Sequence, residues 1–241
     1  MNRAGWGLAA AALAGLSLHA APALTAITPA RRRLLPALSG TGAGRHVALT
    51  FDDGPDRHST PAFLKVLDEC GVRATFFLLG AMLDRDPELG REIVAAGHEV
   101  ALHGWHHRCL LWRTPAAVRA DLSRAYDLIG TVTGVPPRWY RPPYGVLTTA
   151  GWRAARQLNM ATVLWTAWGR DWEAAATPTS VYRTVTRRLS GGGTVLLHDT
   201  DCMSAPNSWQ RTITALPALI DAARRRGLTV GPLAEHGLPA R

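Results

Sequence analysis

Lysine is nearly missing from this chain: Lys65 is the only one, although lysine and arginine together number 27. The formal net charge of +9 is therefore carried by arginine. Such a balance could favour acidic partners such as nucleic acid or an anionic cell wall. The arginines are scattered, however, except for Arg31-Arg32-Arg33 and Arg224-Arg225-Arg226. No nucleic-acid-binding module accompanies them, so the reading is no nucleic-acid partner. The second triplet closes an expected helix just before Gly227, where arginine complements the helix dipole.

Cysteine is scarce as well. Cys70, Cys109 and Cys202 include no C-x-x-C pair, which excludes a zinc knuckle and a redox motif. Cys70 ends an expected helix and reads as a buried thiol. Cys109 and Cys202 each follow a polar, strand-ending segment, so they could meet across loops; an oxidising compartment would permit a disulfide between them, and the sequence leaves the pairing open. Internal repeats are absent, and low complexity is confined to the N-terminus. There Arg3 precedes an uncharged, alanine-rich stretch from Ala4 to Ala30 that is only weakly apolar and is interrupted by His19, Pro22 and Pro29. Residues 1–30 read as a signal peptide, with Ala21-Pro22-Ala23 as a cleavage region, or as a membrane anchor. Positive charge right after an uncleaved segment tends to stay inside, so the arginine triplet leaves a cytoplasmic reading as the minority view. A secreted or cell-surface protein is expected, with membrane attachment through the N-terminal segment left open. The sequence specifies no oligomeric state.

What is present suits one full-sized domain. Hydrophobic residues make up 47% and charged residues 19%, enough apolar material for a core in 241 residues. After a Pro/Gly-rich joint (31–44 as linker), residues 45–235 form the expected domain and 236–241 a tail. Within it, short β-branched or aromatic runs alternate with segments of helical period. Strands are expected at Val47–Phe51, Ala74–Leu79, Glu99–Leu102, Trp139–Tyr140, Thr162–Trp165, Thr194–Leu197 and Leu228–Val230. Helices are expected at Thr60–Cys70, Pro87–Ala96, Pro115–Thr133, Thr148–Leu158, Thr179–Leu189 and Gln210–Arg226, where Pro217 marks a kink or a later start. Ser59-Thr60-Pro61 and Thr114-Pro115 have the form of N-caps, and Gly71, Gly97 and Gly134 of helix stops. Repeated strand–helix units imply an α/β fold with a parallel sheet, wound open or closed as a barrel.

Polar clusters fall at the ends of these strands. Thr50-Phe51-Asp52-Asp53-Gly54-Pro55 ends the first, His103-Gly104-Trp105-His106-His107 follows the third, and Arg141-Pro142-Pro143-Tyr144-Gly145 follows the fourth. Asp171-Trp172 comes after the fifth and His198-Asp199 ends the sixth. In a parallel sheet these ends converge on one face. Two imidazoles and a carboxylate (His103, His107 and Asp53) make a three-ligand set for a divalent ion that leaves positions open for water and substrate. Such an ion lowers the pKa of its water from about 15.7 towards roughly 7. In an extended backbone Asp52 would point away from Asp53, free to act as a base, while His198 could protonate a leaving amine.

These motifs, in this order, resemble the polysaccharide deacetylase family (carbohydrate esterase family 4, the NodB-homology domain), from about Val47 to Pro232. The resemblance implies a single catalytic domain folded as a distorted, seven-stranded (β/α) barrel. It implies Asp52 as general base, Asp53, His103 and His107 as ligands of Zn2+ or another divalent cation such as Co2+, and Arg141 as the group that holds Asp52. It further implies the Tyr144 backbone N–H as oxyanion donor, Asp171 as the partner of a protonated His198 acid, and Trp172, Leu196 and Pro143 around the bound acetyl group. The implied activity is hydrolysis of N-acetyl groups on N-acetylglucosamine-containing glycans, chitin oligomers or peptidoglycan. Two alternatives stand beside it: an O-acetyl esterase acting on acetylated xylan, and a non-catalytic glycan-binding module. Gly104 departs from the family, where Ser or Thr steadies the loop. His106 competes with His107 for the second ligand position, and the family spacing favours His107. Trp139, Trp152 and Trp165 are expected in the core. Trp105, Trp112, Trp168, Trp172 and Trp209 are expected at the rim, where aromatic faces can stack on sugars. Asp199 and Asp201 read as turn formers and His98 as structural, while His46, His58 and His236 have no assigned chemistry.

Overall fold

Every residue from Val47 to Asp52 is buried, as expected of a strand covered on both faces. This strand, β1 (His46–Asp52), is the centre of the sheet in a computed structural model that describes residues 15, 17–26 and 29–238. The others are β2 (Thr75–Leu78), β3 (Glu99–Leu102), β4 (Trp139–Tyr140), β5 (Ala161–Thr162), β6 (Ala167–Trp168), β7 (Thr194–His198) and β8 (Thr229–Gly231). Seven run in the order β5-β4-β3-β2-β1-β7-β6, and β8 joins the start of β1. All pairings are parallel. Their crossovers carry the helices α2 (Thr60–Glu69), α3 (Gly80–Arg85), α4 (Pro87–Ala95), α5 (Pro115–Thr133), α6 (Thr149–Gln157), α7 (Pro178–Thr186) and α8 (Ser208–Arg225), while α1 (Pro29–Leu34) precedes the sheet. The result is the distorted barrel of parallel strands that the sequence implied.

The two-residue period of the strands divides the core. Leu49, Phe51, Phe76, Leu78, Val100, Leu102, Val195 and Leu197 face the helices, where Phe51 stacks on Phe76 and meets Phe63 edge-on. Each such aromatic burial is worth about 1.5–3 kcal/mol. The intervening residues face inward: Ala48, Phe77 and Ala101 fill the barrel with Trp139, Val163 and Leu233. Continuing that inward row, Thr50 and Asp52 must follow Ala48. Sequence thus sends Asp52 into the barrel mouth.

The expected strand Thr162–Trp165 is divided. Thr162 ends β5, and residues 163–166 cross a seam between β5 and β6, which do not pair with each other. Along the seam Leu164 N–H donates to the Leu38 carbonyl at 2.8 Å, and arginines take the carbonyls of Val163, Leu164 and Trp165. A β-branched, aromatic run looks like a strand but needs a neighbour, and here its neighbour is the segment preceding the sheet. The expected linker therefore packs onto the sheet, with Ser39 and Gly40 buried. At the other terminus His236 is fully buried, so the described part of the tail belongs to the folded body.

Smaller corrections follow from local chemistry. Thr114 caps α5 through Ala117 N–H, but Ser59 makes no side-chain cap and its hydroxyl is unpartnered. Pro217 lies within α8, which starts earlier than the sequence suggested. Arg224 and Arg226 donate to carbonyls of Cys70, Thr186 and Leu189, tying other helix ends down rather than only closing their own. Trp152 is 40% exposed, not core. All three cysteines are free, so Cys109 and Cys202 are not bonded, and Cys202 Sγ donates to the Asp53 carbonyl at 3.6 Å. The expected leader, residues 1–30, lies largely outside the described residues. Among the described residues no helix is long and apolar enough to cross a membrane.

Candidate active site

Strand register sets the site. Asp52 is level with His198 of β7, Leu102 with Tyr140, and Trp168 with Leu196, so His103, Arg141 and the loop to Asp171 all leave the sheet at the same end. They surround a cavity of about 240 Å3 lined by Asp52, Asp53, His103, His107, Tyr144, Trp172, Leu196 and His198. Asp171 and Arg141 lie behind this lining. Pro143 is buried beside Gly104 and is not part of the wall.

Asp52 and Asp53 were expected to diverge. Instead Asp53 turns to φ 78° as it leaves β1, so both carboxylates face the same imidazole. His103 Nε2 is 3.7 Å from Asp52 Oδ2 and 3.4 Å from Asp53 Oδ1, and His107 Nε2 is 3.5 Å from Asp53 Oδ1. Ligand atoms of Asp53, His103 and His107 all lie within 4.8 Å of one another. His106 is exposed and outside the group.

The donor set fits a divalent ion. Asp53 Oδ1 is buried without a hydrogen-bond partner. The His103 Nδ1 lies 2.7 Å from the Arg141 carbonyl, which can only accept, so the proton sits on Nδ1 and the Nε2 lone pair is left facing Asp53. Burial opposes the Asp53 charge, but the surrounding imidazoles, the positive His198 among them, hold its carboxyl well below the usual carboxylate range. Burial, reinforced by the neighbouring His103, pushes His107 down to about 4 and keeps the imidazole neutral, the form that binds metals.

Two further groups flank this cluster. Arg141, fully buried, donates from Nη1 to Asp52 Oδ1 at 2.7 Å and to Thr50 Oγ1 at 2.8 Å. That leaves Asp52 Oδ2 towards the cavity. Opposite, the Asp171 carboxylate accepts His198 N–H at 2.8 Å and the Thr212 hydroxyl at 2.9 Å, and lies 3.1 Å from His198 Nδ1. Burial works against a charged His198, yet Asp171, Asp53 and Asp52 outweigh it and raise its pKa to about 10. Nε2 of the protonated ring points inward, 3.9 Å from Asp53 Oδ2. A carboxylate and a protonated imidazole thus flank a group of side chains that could hold a metal ion.

Several contributors were not legible as such. Trp165, expected in the core, lines the cavity with Trp168 and Met203, because the seam turns it inward. Gly145 lies against its ring at φ 68°, where an added Cβ would come within 2.6 Å of Trp165. Tyr144, at φ 60°, sets its ring 4.3 Å from His107. Asp121 of α5 accepts Trp105 N–H at 2.7 Å inside the His103–His107 loop. Asp199 is no turn former: its buried carboxyl takes the Thr60 hydroxyl at 2.5 Å. Asp201 does serve a turn, accepting Asn207 N–H at 2.6 Å.

Residues 39–163 match the family model described as Polysaccharide deacetylase. A chitooligosaccharide deacetylase of Bradyrhizobium sp. is 37% identical over 210 residues, which cover 84% of this chain and 94% of that protein. Among solved structures, a peptidoglycan N-acetylglucosamine deacetylase superposes with a TM-score of 0.79 at 26% identity, covering 87% of this chain and 97% of that one. A family 4 pseudoenzyme of Bacillus anthracis gives a TM-score of 0.73 at 27% identity, covering 81% of this chain and 66% of that one. With family model, sequence relatives and fold in agreement, the chain belongs to the polysaccharide deacetylase family.

Proposed function

We propose that this protein hydrolyses N-acetyl groups of N-acetylglucosamine-containing glycans, chitin oligomers or peptidoglycan. The observation that carries the reading is the unpartnered, buried Asp53 Oδ1 facing two imidazoles, with Asp52 and His198 on either side. Asp53, His103 and His107 would hold Zn2+ or another divalent cation such as Co2+, which acidifies bound water and polarises the acetyl carbonyl. Asp52 Oδ2 takes the proton of the attacking water, since Arg141 occupies Oδ1 and fixes the carboxylate. The Tyr144 backbone N–H would serve as the oxyanion donor, a contact of a kind worth about 3–4 kcal/mol. As the C–N bond breaks, His198 Nε2 gives its proton to the departing amine, and Asp171 keeps the ring charged and oriented until then. Acetate and a free amino sugar result. Trp172 and Leu196 supply an apolar wall for the methyl group. A wall polymer as substrate fits export through residues 1–30.

The similar pseudoenzyme makes turnover the point to test. Acetate release is measured on chitin oligomers, peptidoglycan and acetylated xylan, with and without added zinc. The expected result is release from the amide substrates that a chelator stops and zinc restores. Asp52→Asn should keep the metal and lose turnover. Activity on xylan alone would move the assignment to the ester, and silence on every substrate would leave a binding module.

A further inference from the structure

The ladder between β1 and β7 ends where Asp52 is level with His198. The next residues on the two chains are Asp53, a candidate metal ligand, and Asp199, which the proposed reaction does not use. Past that point side chains join the two segments. Asp199 is fully buried, and its carboxyl group lies directly against Gly54. A Cβ at Gly54 would come within 2.6 Å of Asp199 Oδ2 and 2.7 Å of Oδ1. Gly54 has no positive φ, so its missing side chain serves space and not backbone conformation.

The same carboxyl group is tied to the far end of the turn. Asp199 Oδ2 accepts the Thr60 hydroxyl at 2.5 Å, and Thr60 Oγ1 accepts Asp56 N–H at 2.9 Å. A hydroxyl has one proton, and the amide brings its own, so the threonine proton goes to Asp199. Two lesser ties run in parallel: Thr200 Oγ1 donates to Asp56 Oδ2 at 3.1 Å, and Cys202 Sγ to the Asp53 carbonyl at 3.6 Å. From the other side Leu79 N–H holds the Gly54 carbonyl at 2.9 Å. The turn needs this bracing. Asp53 sits at φ 78°, a conformation that a residue with a side chain keeps only where its surroundings enforce it.

We propose that Asp199 is a positioning residue of the metal site: wedged against Gly54 and tied to Thr60, it keeps Asp53 turned towards His103 and His107. The inference rests on the deacetylase reading for the role of Asp53 as ligand. Zinc titration by calorimetry and the visible absorption spectrum of the Co2+-loaded protein test it on the full chain without substrate. Asp199→Ala is expected to bind zinc about 10–100-fold more weakly, the range for losing a group that orients a ligand, and to shift the Co2+ bands. Asp199→Asn keeps the wedge and an acceptor for Thr60, so its affinity and spectrum should stay near wild type. Thr60→Val keeps the shape of the side chain without the hydroxyl and should weaken zinc binding as Asp199→Ala does. The double variant Asp199→Ala/Thr60→Val should lose little more than either single one, because both break the same clamp. Should urea unfolding show that Asp199→Ala does not fold, Asp199→Asn and Thr60→Val carry the test. Wild-type zinc affinity in Thr60→Val or in folded Asp199→Ala, additive losses in the double variant, or an Asn variant with weakened affinity and shifted Co2+ bands overturns the role. Wild-type protein that binds no zinc overturns this role and the deacetylase reading together. The expected zinc pattern without acetate release from any oligomer keeps the role and removes the deacetylase reading, so the two failures are distinct.

Discussion

Arg141 illustrates how much one residue can connect. Its guanidinium has no exposed surface and lies over the Phe77 ring, yet it reaches Asp52, Thr50 and the Val163 and Leu164 carbonyls. Two of those partners belong to the site and two to the seam. Burial lowers its pKa, and the Asp52 charge opposes that fall. A lysine would keep the charge but could not serve four acceptors in one plane. We expect Arg141→Lys to cost about 2–4 kcal/mol of stability, because buried acceptors are left without donors at about 1–3 kcal/mol each. Turnover should fall by about 10²-fold or more as Asp52 loses its orientation. Denaturant unfolding and acetate release check the two parts separately, and normal turnover in a destabilised variant would reduce Arg141 to a seam residue. Sequence made the residue visible, because Arg-Pro-Pro-Tyr-Gly ends a strand. Its second task depends on a strand break that no local pattern announces.

At the scale of elements, the informative case is the loop from His103 to His107. Its departure from the family, Gly104, was legible, but its remedy was not, because the brace comes from a helix remote in sequence. Gly104 adopts φ 103°, and an added Cβ would lie 3.2 Å from Asp121 Oδ2. Asp121 takes the Trp105 N–H, Arg113 stands 3.5 Å from its other oxygen, and Arg124 covers the Trp105 ring at 3.4 Å. Restoring a family-like Ser at 104 should therefore harm this protein, at about 1–3 kcal/mol for a side chain at such a φ. Asp121→Ala should orphan the Trp105 N–H and weaken metal affinity by about 10–100-fold. Metal titration of both variants tests this, and wild-type affinity in Asp121→Ala would show that the loop holds its own shape. The same contrast explains the fold as a whole. Helices with clear caps and periods, such as Pro115–Thr133, were legible to the residue, and so were the strand-end motifs. What the sequence hid were contacts between elements: the seam, the turned Asp53 and the inward Trp165.

Across the whole molecule, buried groups respond to protonation in opposite senses. At the closed end His98 accepts Ala74 N–H beside Phe76, and burial, then Arg73, pushes it down to about 4. His46 and His236 share a proton between Nδ1 atoms 2.8 Å apart, and burial lowers both. At the open end burial raises Asp199 to about 7, against the Thr60 hydrogen bond. A histidine with a depressed folded pKa binds fewer protons folded than unfolded between about 6.5 and 4, so its stabilisation is complete above that window and is lost as pH falls through it. The raised carboxyl works the other way, binding its proton more readily when folded and gaining stability as pH falls from about 7 towards 4. The raw acid curve therefore mixes both signs, and a difference measurement separates them. His98→Asn keeps an acceptor for Ala74 N–H and removes the titration. Relative to wild type, the variant should gain stability steadily as pH drops from about 6.5 to 4 and be unchanged in that difference above pH 7. Urea midpoints at matched pH values provide the test. A wild-type-minus-variant difference that stays flat across the window would mean that His98 is charged inside the fold, and that the closed end of the barrel is wetter than its packing implies.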